Sequence, residues 1–178
     1  MSDHSTSFVP KQSHYPNRVA KAKEILDWLT SQNIVQLAKS DCTLGEEGYA
    51  LSTGAQQVTD LPDELPVDLI TNGLEIVTER QVFDTGGNRV DQLICPACRE
   101  NITFDEWDVN PWAERQGDTM ECPRCETKSE VHTYRFEPEW GFSDLGFTFW
   151  NWPPFSKSFI DEFQSRLGCE IAIVYQQI

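Results

Sequence analysis

Four of the six cysteines in this 178-residue chain lie in two matching Cys-Pro-x-Cys turns. Cys95 and Cys98 form the first turn, Cys122 and Cys125 form the second, and 23 residues separate the two. A turn of this kind directs two sulfur atoms at one point, so two turns supply the four thiolates of a tetrahedral zinc site. The proline in each turn restricts φ and helps to preform it. The spacing therefore predicts one structural Zn²⁺ per chain, held by these four cysteines.

Other cysteine chemistry fits the pattern less well. A thioredoxin-like Cys-Pro-x-Cys pair follows a strand, opens a helix and needs no second pair, whereas each pair here sits between strand-like segments. Disulfides are rare in the reducing cytoplasm, where we expect this protein. Iron bound as in rubredoxin uses similar turns and remains open. Four protein ligands leave no coordination position for water or substrate, so we expect the metal to be non-catalytic.

The elements that must position these cysteines indicate an α+β fold with a mixed sheet. Asn17 can cap an N-terminal helix that runs to about residue 31. The segment 74–94 is rich in β-branched and aromatic residues and contains a "DTGGN" turn, which predicts a β-hairpin leading into the first cysteine turn. Segment 128–137 reads as one returning strand, and 146–152 as a central strand. A strand–helix–strand unit, with Ser156 or Ser158 as the cap and Gly168 as the stop, closes the chain.

The order of these elements predicts a simple domain organisation. Residues 1–16 are polar, contain two prolines and are expected to form a flexible arm. Residues 17–178 are expected to form a single α+β domain that carries a zinc-ribbon insertion at about 90–136. We expect this insertion to have little apolar core of its own and to depend on its metal for folding.

Two resemblances accompany this interpretation. Residues 90–136 resemble a four-cysteine zinc ribbon, although Arg99 and Glu126 stand after the second cysteine of each turn, where glycine is common. The whole chain resembles a group of uncharacterised gammaproteobacterial proteins, through the stretches "TSFVPKQSHYPNR", "NGLEI" and "WGFSDLGFTFWNWP". Some members of that group are labelled as sugar-transporter ATPases. The G-x-x-x-x-G-K-[ST] loop that such an ATPase needs is missing from this sequence.

The charge of the chain restricts its partners. The net charge is −15, and residues 1–40 hold five Lys/Arg against three acids, so the negative charge lies in the remainder. Between Asp91 and Glu139 there are twelve acids and five bases. Such a surface repels DNA, RNA and anionic lipid. With no apolar run of 18 residues and no signal-peptide pattern, the sequence predicts a cytoplasmic protein whose partner, if macromolecular, is a protein with a basic surface.

Enzyme signatures are sparse in the sequence. Asp84 lies in a single Asp-Thr-Gly that matches the aspartic-protease motif, but a hairpin turn accounts for the same residues. Motifs for serine hydrolases, zinc metalloproteases and dinucleotide enzymes do not occur. We therefore expect a non-catalytic interaction or regulatory protein. The alternative is an enzyme with a small-molecule cleft near residues 137–155.

The aromatic stretch at 137–155 has two interpretations. Aromatic residues at this density are usually core. The functional alternative is an exposed protein-contact patch, because aromatic side chains anchor many protein interfaces. The candidate contact residues are Trp140, Phe142, Asp144 and Trp152.

Overall fold

The computed structural model describes residues 2–178. Over this range the chain forms three α-helices and twelve strands, joined in places by 3₁₀ turns. The helices are α1 (Arg18–Ser31), α2 (Asn110–Ala113) and α3 (Lys157–Leu167), and the strands are β1 (His4–Pro10), β2 (Val35–Ser40), β3 (Gly48–Leu51), β4 (Leu74–Val77), β5 (Gln81–Phe83), β6 (Gln92–Ile94), β7 (Thr119–Glu121), β8 (Lys128–Glu130), β9 (Arg135–Glu137), β10 (Gly141–Ser143), β11 (Gly146–Trp150) and β12 (Ile171–Gln177). The protein is thus a mixed α and β structure in which strands predominate.

Six strands form one sheet in the order β12-β1-β11-β4-β3-β2. β1 is antiparallel to both of its neighbours, so β11 and β12 run parallel to each other and α3 connects them. This arrangement confirms the predicted strand–helix–strand unit. Ser156 caps α3 by accepting a hydrogen bond from the Phe159 N–H, and Gly168 ends the helix at φ 71°, which glycine adopts at low cost.

Aromatic rings fill the core between the sheet and its helices. Phe8 on β1 and Phe147 on β11 both meet Phe163 of α3 edge to face, with ring centroids 4.9 and 5.0 Å apart. Trp28 of α1 stacks on Phe159 of α3 at 5.6 Å. All five residues of β11 are buried, which confirms the predicted central strand. Such close aromatic packing contributes both apolar burial and edge-to-face attraction.

The opposite face of the large sheet is covered by a two-stranded sheet of β5 and β10. Val9, Phe83 and Val174 are buried together between these layers. A Cβ atom at Gly146 would lie 2.3 Å from Cζ of Phe83, so the close approach of that ring requires glycine. The helices on one face and the sheet of β5 and β10 on the other therefore enclose β11.

The expectation of a flexible arm over residues 1–16 is wrong. Residues His4–Pro10 form β1, which is hydrogen-bonded between β11 and β12. Ser5 and Ser7 are buried, and Ser7 Oγ lies 2.8 Å from Thr148 Oγ1. The prediction failed because small hydroxyl side chains at alternate positions make this interior strand as polar as a loop. Met1 lies outside the described residues, and the division of 17–178 into one domain with an insertion stays a prediction.

Three local predictions also need correction. The hairpin expected within 74–94 does not form, because β4 pairs with β3 and β11, β5 with β10, and β6 with β9. The single strand expected over 128–137 is divided into β8 and β9 by a 3₁₀ turn at Val131–Thr133. Asn17 precedes α1 at φ 56° and makes no side-chain capping hydrogen bond. No helix among residues 2–178 is long and apolar enough to cross a membrane.

Candidate metal centre

The two cysteine turns have the same backbone hydrogen bonds. In the first, Arg99 N–H donates to Cys95 O at 3.0 Å, and Cys95 N–H donates to Glu100 O at 3.1 Å. In the second, Glu126 N–H donates to Cys122 O at 2.9 Å, and the Cys122 N–H donates to the carbonyl five residues on at 3.0 Å. β6 leads into the first turn, whereas β7 and β8 form a hairpin around the second. The repeated sequence therefore folds into a repeated local structure.

The residues after each second cysteine adopt the conformation that glycine favours. Arg99 has φ 62° and Glu126 has φ 60°. This left-handed region costs a residue with a Cβ atom more than it costs glycine. The departure from the common ribbon pattern thus changes the side chain and leaves the turn geometry in place.

The four sulfur atoms lie together. The Sγ atoms of Cys95, Cys98, Cys122 and Cys125 are all within 4.8 Å of one another. Cys95 Sγ is 3.8 Å from Cys125 Sγ, and Cys98 Sγ is 3.9 Å from Cys122 Sγ. A disulfide would require about 2.05 Å. Thiolates about 2.3 Å from a tetrahedral metal lie about 3.8 Å apart, so this cluster can bind a metal ion.

The cluster lies at the edge of a second apolar core. Cys95 and Cys122 are fully buried, while Cys98 and Cys125 are partly exposed. The buried residues packed around them are Leu93, Ile102, Trp112, Met120, Val131, Tyr134, Phe136 and Phe142. The expectation that this segment has little core of its own is therefore wrong. Widely spaced aromatic and aliphatic residues supply that core, and they show no helical or strand period.

Hydrogen bonds and burial give the cysteine thiols different pKa values. The hydroxyl and backbone of Thr127 lower the pKa of the Cys125 thiol to about 6. A backbone hydrogen bond at Glu100 lowers the pKa of Cys98, but burial and the other three sulfurs outweigh it and raise that pKa to about 11. Burial, reinforced by the nearby thiolates, raises the pKa of Tyr134, whose hydroxyl donates to Met120 O at 2.8 Å. A metal ion binding here must displace thiol protons, so its affinity depends on pH.

Arg80 joins the metal segment, residues 90–136, to the rest of the protein. Its guanidinium lies 4.0 Å from the centre of the Trp112 ring, and Arg80 Nε donates to Trp112 O at 2.8 Å. Arg80 Nη2 donates to Gly117 O at 2.7 Å and to Asp118 Oδ1 at 2.9 Å. From the other side, Trp112 Nε1 donates to the buried Ser13 Oγ at 2.8 Å. Sequence reasoning missed these residues, because contacts between residues 32 and 99 positions apart have no local signal.

His132 links the metal segment to the two-stranded sheet of β5 and β10. Its Nε2 lies 2.7 Å from Phe142 O, and its Nδ1 lies 2.6 Å from Glu130 Oε1. The carbonyl can only accept, so Nε2 carries a proton and donates it. His132 therefore has a structural partner on each ring nitrogen, which leaves no ring nitrogen free to act as a ligand.

The predicted contact patch is wrong as an exposed surface. Phe142, Asp144 and Trp152 are buried, and Trp140 is partly buried. Asp144 accepts hydrogen bonds from the Tyr15 backbone N–H at 2.8 Å and from His14 Nδ1 at 2.9 Å. These side chains are interior because the layers on both sides of β10 and β11 enclose them. The core interpretation of this aromatic stretch is the one that the structure supports.

A cleft of about 440 Å³ lies beside Trp140, near the region where a small-molecule site was the alternative prediction. Its charged side chains are paired with one another: Lys11 Nζ is 3.3 Å from Glu139 Oε1, and Arg135 pairs with Glu137. The enzyme hypothesis stays a prediction. Asp84, the residue of the protease-like motif, accepts from the Gly86 N–H at 2.8 Å, as a turn residue does.

No family model, no curated protein and no solved structure matches this chain. The resemblance to the gammaproteobacterial group is therefore unsupported. The clustered cysteines are consistent with a zinc-ribbon-like segment.

Proposed function

We propose that Cys95, Cys98, Cys122 and Cys125 hold one structural zinc ion, and that the segment built around this ion is a non-catalytic protein-interaction or regulatory module. The spacing of the sulfur atoms carries the proposal, because two edges of 3.8 and 3.9 Å fit a tetrahedral thiolate shell. Soft thiolate ligands favour zinc, and iron is the alternative metal.

In this proposal, the role of the ion is to stabilise the folded segment. Four cysteine ligands complete a tetrahedral shell, and the buried Cys95 and Cys122 place half of it inside the apolar core. Bound metal would contribute on the order of 10 kcal/mol to holding the two turns together. The surrounding core supplies additional stability, so the segment gains order from both sources.

The proposed partner is a protein with a basic surface. The acidic excess between Asp91 and Glu139 opposes phosphate contacts and anionic lipid. It favours fast, salt-sensitive association with a positively charged protein face. We expect no gel shift of duplex DNA or RNA at about 0.15 M salt, where the screening length is roughly 8 Å. Micromolar nucleic-acid binding with a steep salt dependence would contradict this part of the proposal.

Cobalt(II) titration tests the metal centre without requiring a partner. Cobalt in a four-thiolate tetrahedral site absorbs visible light, so protein freed of metal should reach saturation at one cobalt per chain. Cys98→Ser should weaken binding and change the spectrum, because it removes one of the four ligands. Cys169→Ser, which alters a partly buried cysteine outside the cluster, is the matched control. A titration that is unaffected by Cys98→Ser would contradict the assignment.

A further inference from the structure

Phe104 is the most exposed of the large apolar side chains in residues 2–178. It is 97% exposed, compared with 83% for Ile70 and 79% for Leu37. It lies six residues after Cys98, in the loop between the two cysteine turns. A phenylalanine in this position adds nothing to the apolar core, so its side chain is available to another molecule.

The backbone on both sides of Phe104 is held in place. Thr103 Oγ1 accepts from the Leu93 N–H at 2.8 Å, and Thr103 O accepts from Trp107 Nε1 at 3.1 Å. The Asp105 N–H donates to Ile102 O at 3.0 Å. Phe104 therefore projects from a fixed turn, and ordering that turn costs little when a partner binds.

The metal centre supports the same turn. Arg124, within the second cysteine turn, donates from Nε to Asp105 Oδ2 at 2.6 Å, and its Nη1 lies 3.5 Å from Glu100 Oε2. The second cysteine turn is thus linked directly to Asp105, the residue next to Phe104.

The charge around Phe104 indicates which class of molecule binds there. Four of the nine residues from Glu100 to Asp108 are acidic. Arg124 pairs with two of them, Glu100 and Asp105. Glu106 and Asp108 are therefore the acids that a basic partner can reach without displacing Arg124. Anionic lipid, nucleic acid and a second copy of this acidic chain are all disfavoured by like charge. An apolar pocket edged by lysine or arginine on another protein has the complementary shape and charge.

We infer that Phe104 is the anchor of a protein-docking surface, and that it inserts into an apolar pocket edged by basic residues on the partner. The inference rests on the metal site proposed above, because that site fixes the turn. It replaces the contact patch predicted from residues 140–152, whose side chains are buried or, at Trp140, partly buried.

Photocrosslinking tests the surface in the full-length metal-loaded protein. The probe is p-benzoylphenylalanine at position 104, with the same residue at the exposed position 70 as the control. In lysate of the host cells, we expect position 104 to crosslink to a protein whose mapped site contains lysine or arginine, and position 70 not to do so. A crosslink to lipid, nucleic acid or a second copy of the chain, or no crosslink, would overturn the inference.

Competition with unlabelled protein measures the contributions of apolar contact and charge. To halve the crosslink, unlabelled Phe104→Ala protein should be needed at a concentration at least about tenfold higher than unlabelled wild-type protein. Glu106→Lys should also compete less well, whereas Glu47→Lys, in the turn between β2 and β3, should behave as wild type. Equal competition by Phe104→Ala would contradict the inference.

Metal content separates failure of this inference from failure of the metal proposal. Phe104→Ala should keep one metal ion per chain, because its side chain touches no core. Loss of metal from Phe104→Ala would show a structural role and overturn the docking inference. Lack of metal in the wild type would instead overturn the metal proposal.

Discussion

Arg99 and Glu126 occupy equivalent places after the two cysteine turns and share the left-handed conformation, at φ 62° and φ 60°. Both side chains are exposed, so their conformation is set by the turn and not by burial. Neither residue is a glycine, which is the residue that this conformation favours. Each turn therefore carries a small backbone cost.

Arg99→Gly should stabilise the metal-loaded protein by about 0.5 kcal/mol. Relief of a left-handed conformation, which costs roughly 1–2 kcal/mol, exceeds the entropy cost of glycine at roughly 0.5–1 kcal/mol. Arg99→Ala removes the same charge without that relief, and is the matched control. Urea unfolding compares the three proteins. If Arg99→Ala stabilised as much as Arg99→Gly, the gain would come from charge and the backbone explanation would fail.

Arg80→Ala should destabilise the protein by about 3 kcal/mol. The change leaves Gly117 O without its side-chain donor, takes from Trp112 O one of its two donors, and removes the cation from the Trp112 ring. Arg80→Lys should recover only part of the loss, because lysine lacks the planar fork that serves several acceptors. Arg89→Ala, at an exposed site, should change stability by about 0.5 kcal/mol or less. Similar urea midpoints for Arg80→Ala and Arg89→Ala would show that the contacts of Arg80 with Trp112 and Gly117 do not stabilise the protein.

The stability of the wild type should fall with acid in part through His4. Burial lowers the pKa of His4, although the charge of Asp3 opposes this effect, and His4 Nδ1 is buried without a hydrogen-bond partner among residues 2–178. The unfolded chain then binds a proton more readily than the folded one, so this contribution is fully present above about pH 6.5 and is lost as the pH falls from there through the lower pKa of the folded chain. His4→Gln should show a flatter stability profile between about pH 7.5 and 5.5. Parallel profiles for the two proteins would contradict this assignment.

Metal removal should loosen the metal segment and leave the large sheet folded. Without the ion, hydrogen exchange should accelerate in the two cysteine turns and in β7 and β8. β1, β11 and β12 should stay protected, since their aromatic core does not include the four clustered cysteines. Exchange mass spectrometry with and without a chelator measures both regions. Uniform acceleration over the whole chain would show that the metal supports the main core as well.

The sequence predicts parts of this structure whose signals are local. The end of α3 follows from Gly168 and its start from the two candidate caps, of which the structure uses Ser156. The burial of β11 follows from its aromatic content. The clustering of the four cysteines also agrees with their spacing. In each case the residues that carry the signal lie close together in the chain.

Other features depend on distant partners that no local pattern identifies. β1 was missed because Ser5 and Ser7 are polar, and their burial requires Thr148 and β12 to be in place. The short strands β5 and β6 pair with segments after residue 134, so the hairpin expected from local turn chemistry loses to these longer-range pairings. Phe104 gave no signal because exposure is a property of the fold.

The metal content of the protein tests the central claim most directly. Native mass spectrometry of protein purified without added metal should show one zinc ion per chain, with the thiols of Cys95, Cys98, Cys122 and Cys125 protected from alkylation until a chelator is added. One iron ion in the same place would change the metal and retain the four-thiolate site. Protein without metal, in which all four thiols react freely, would contradict the account.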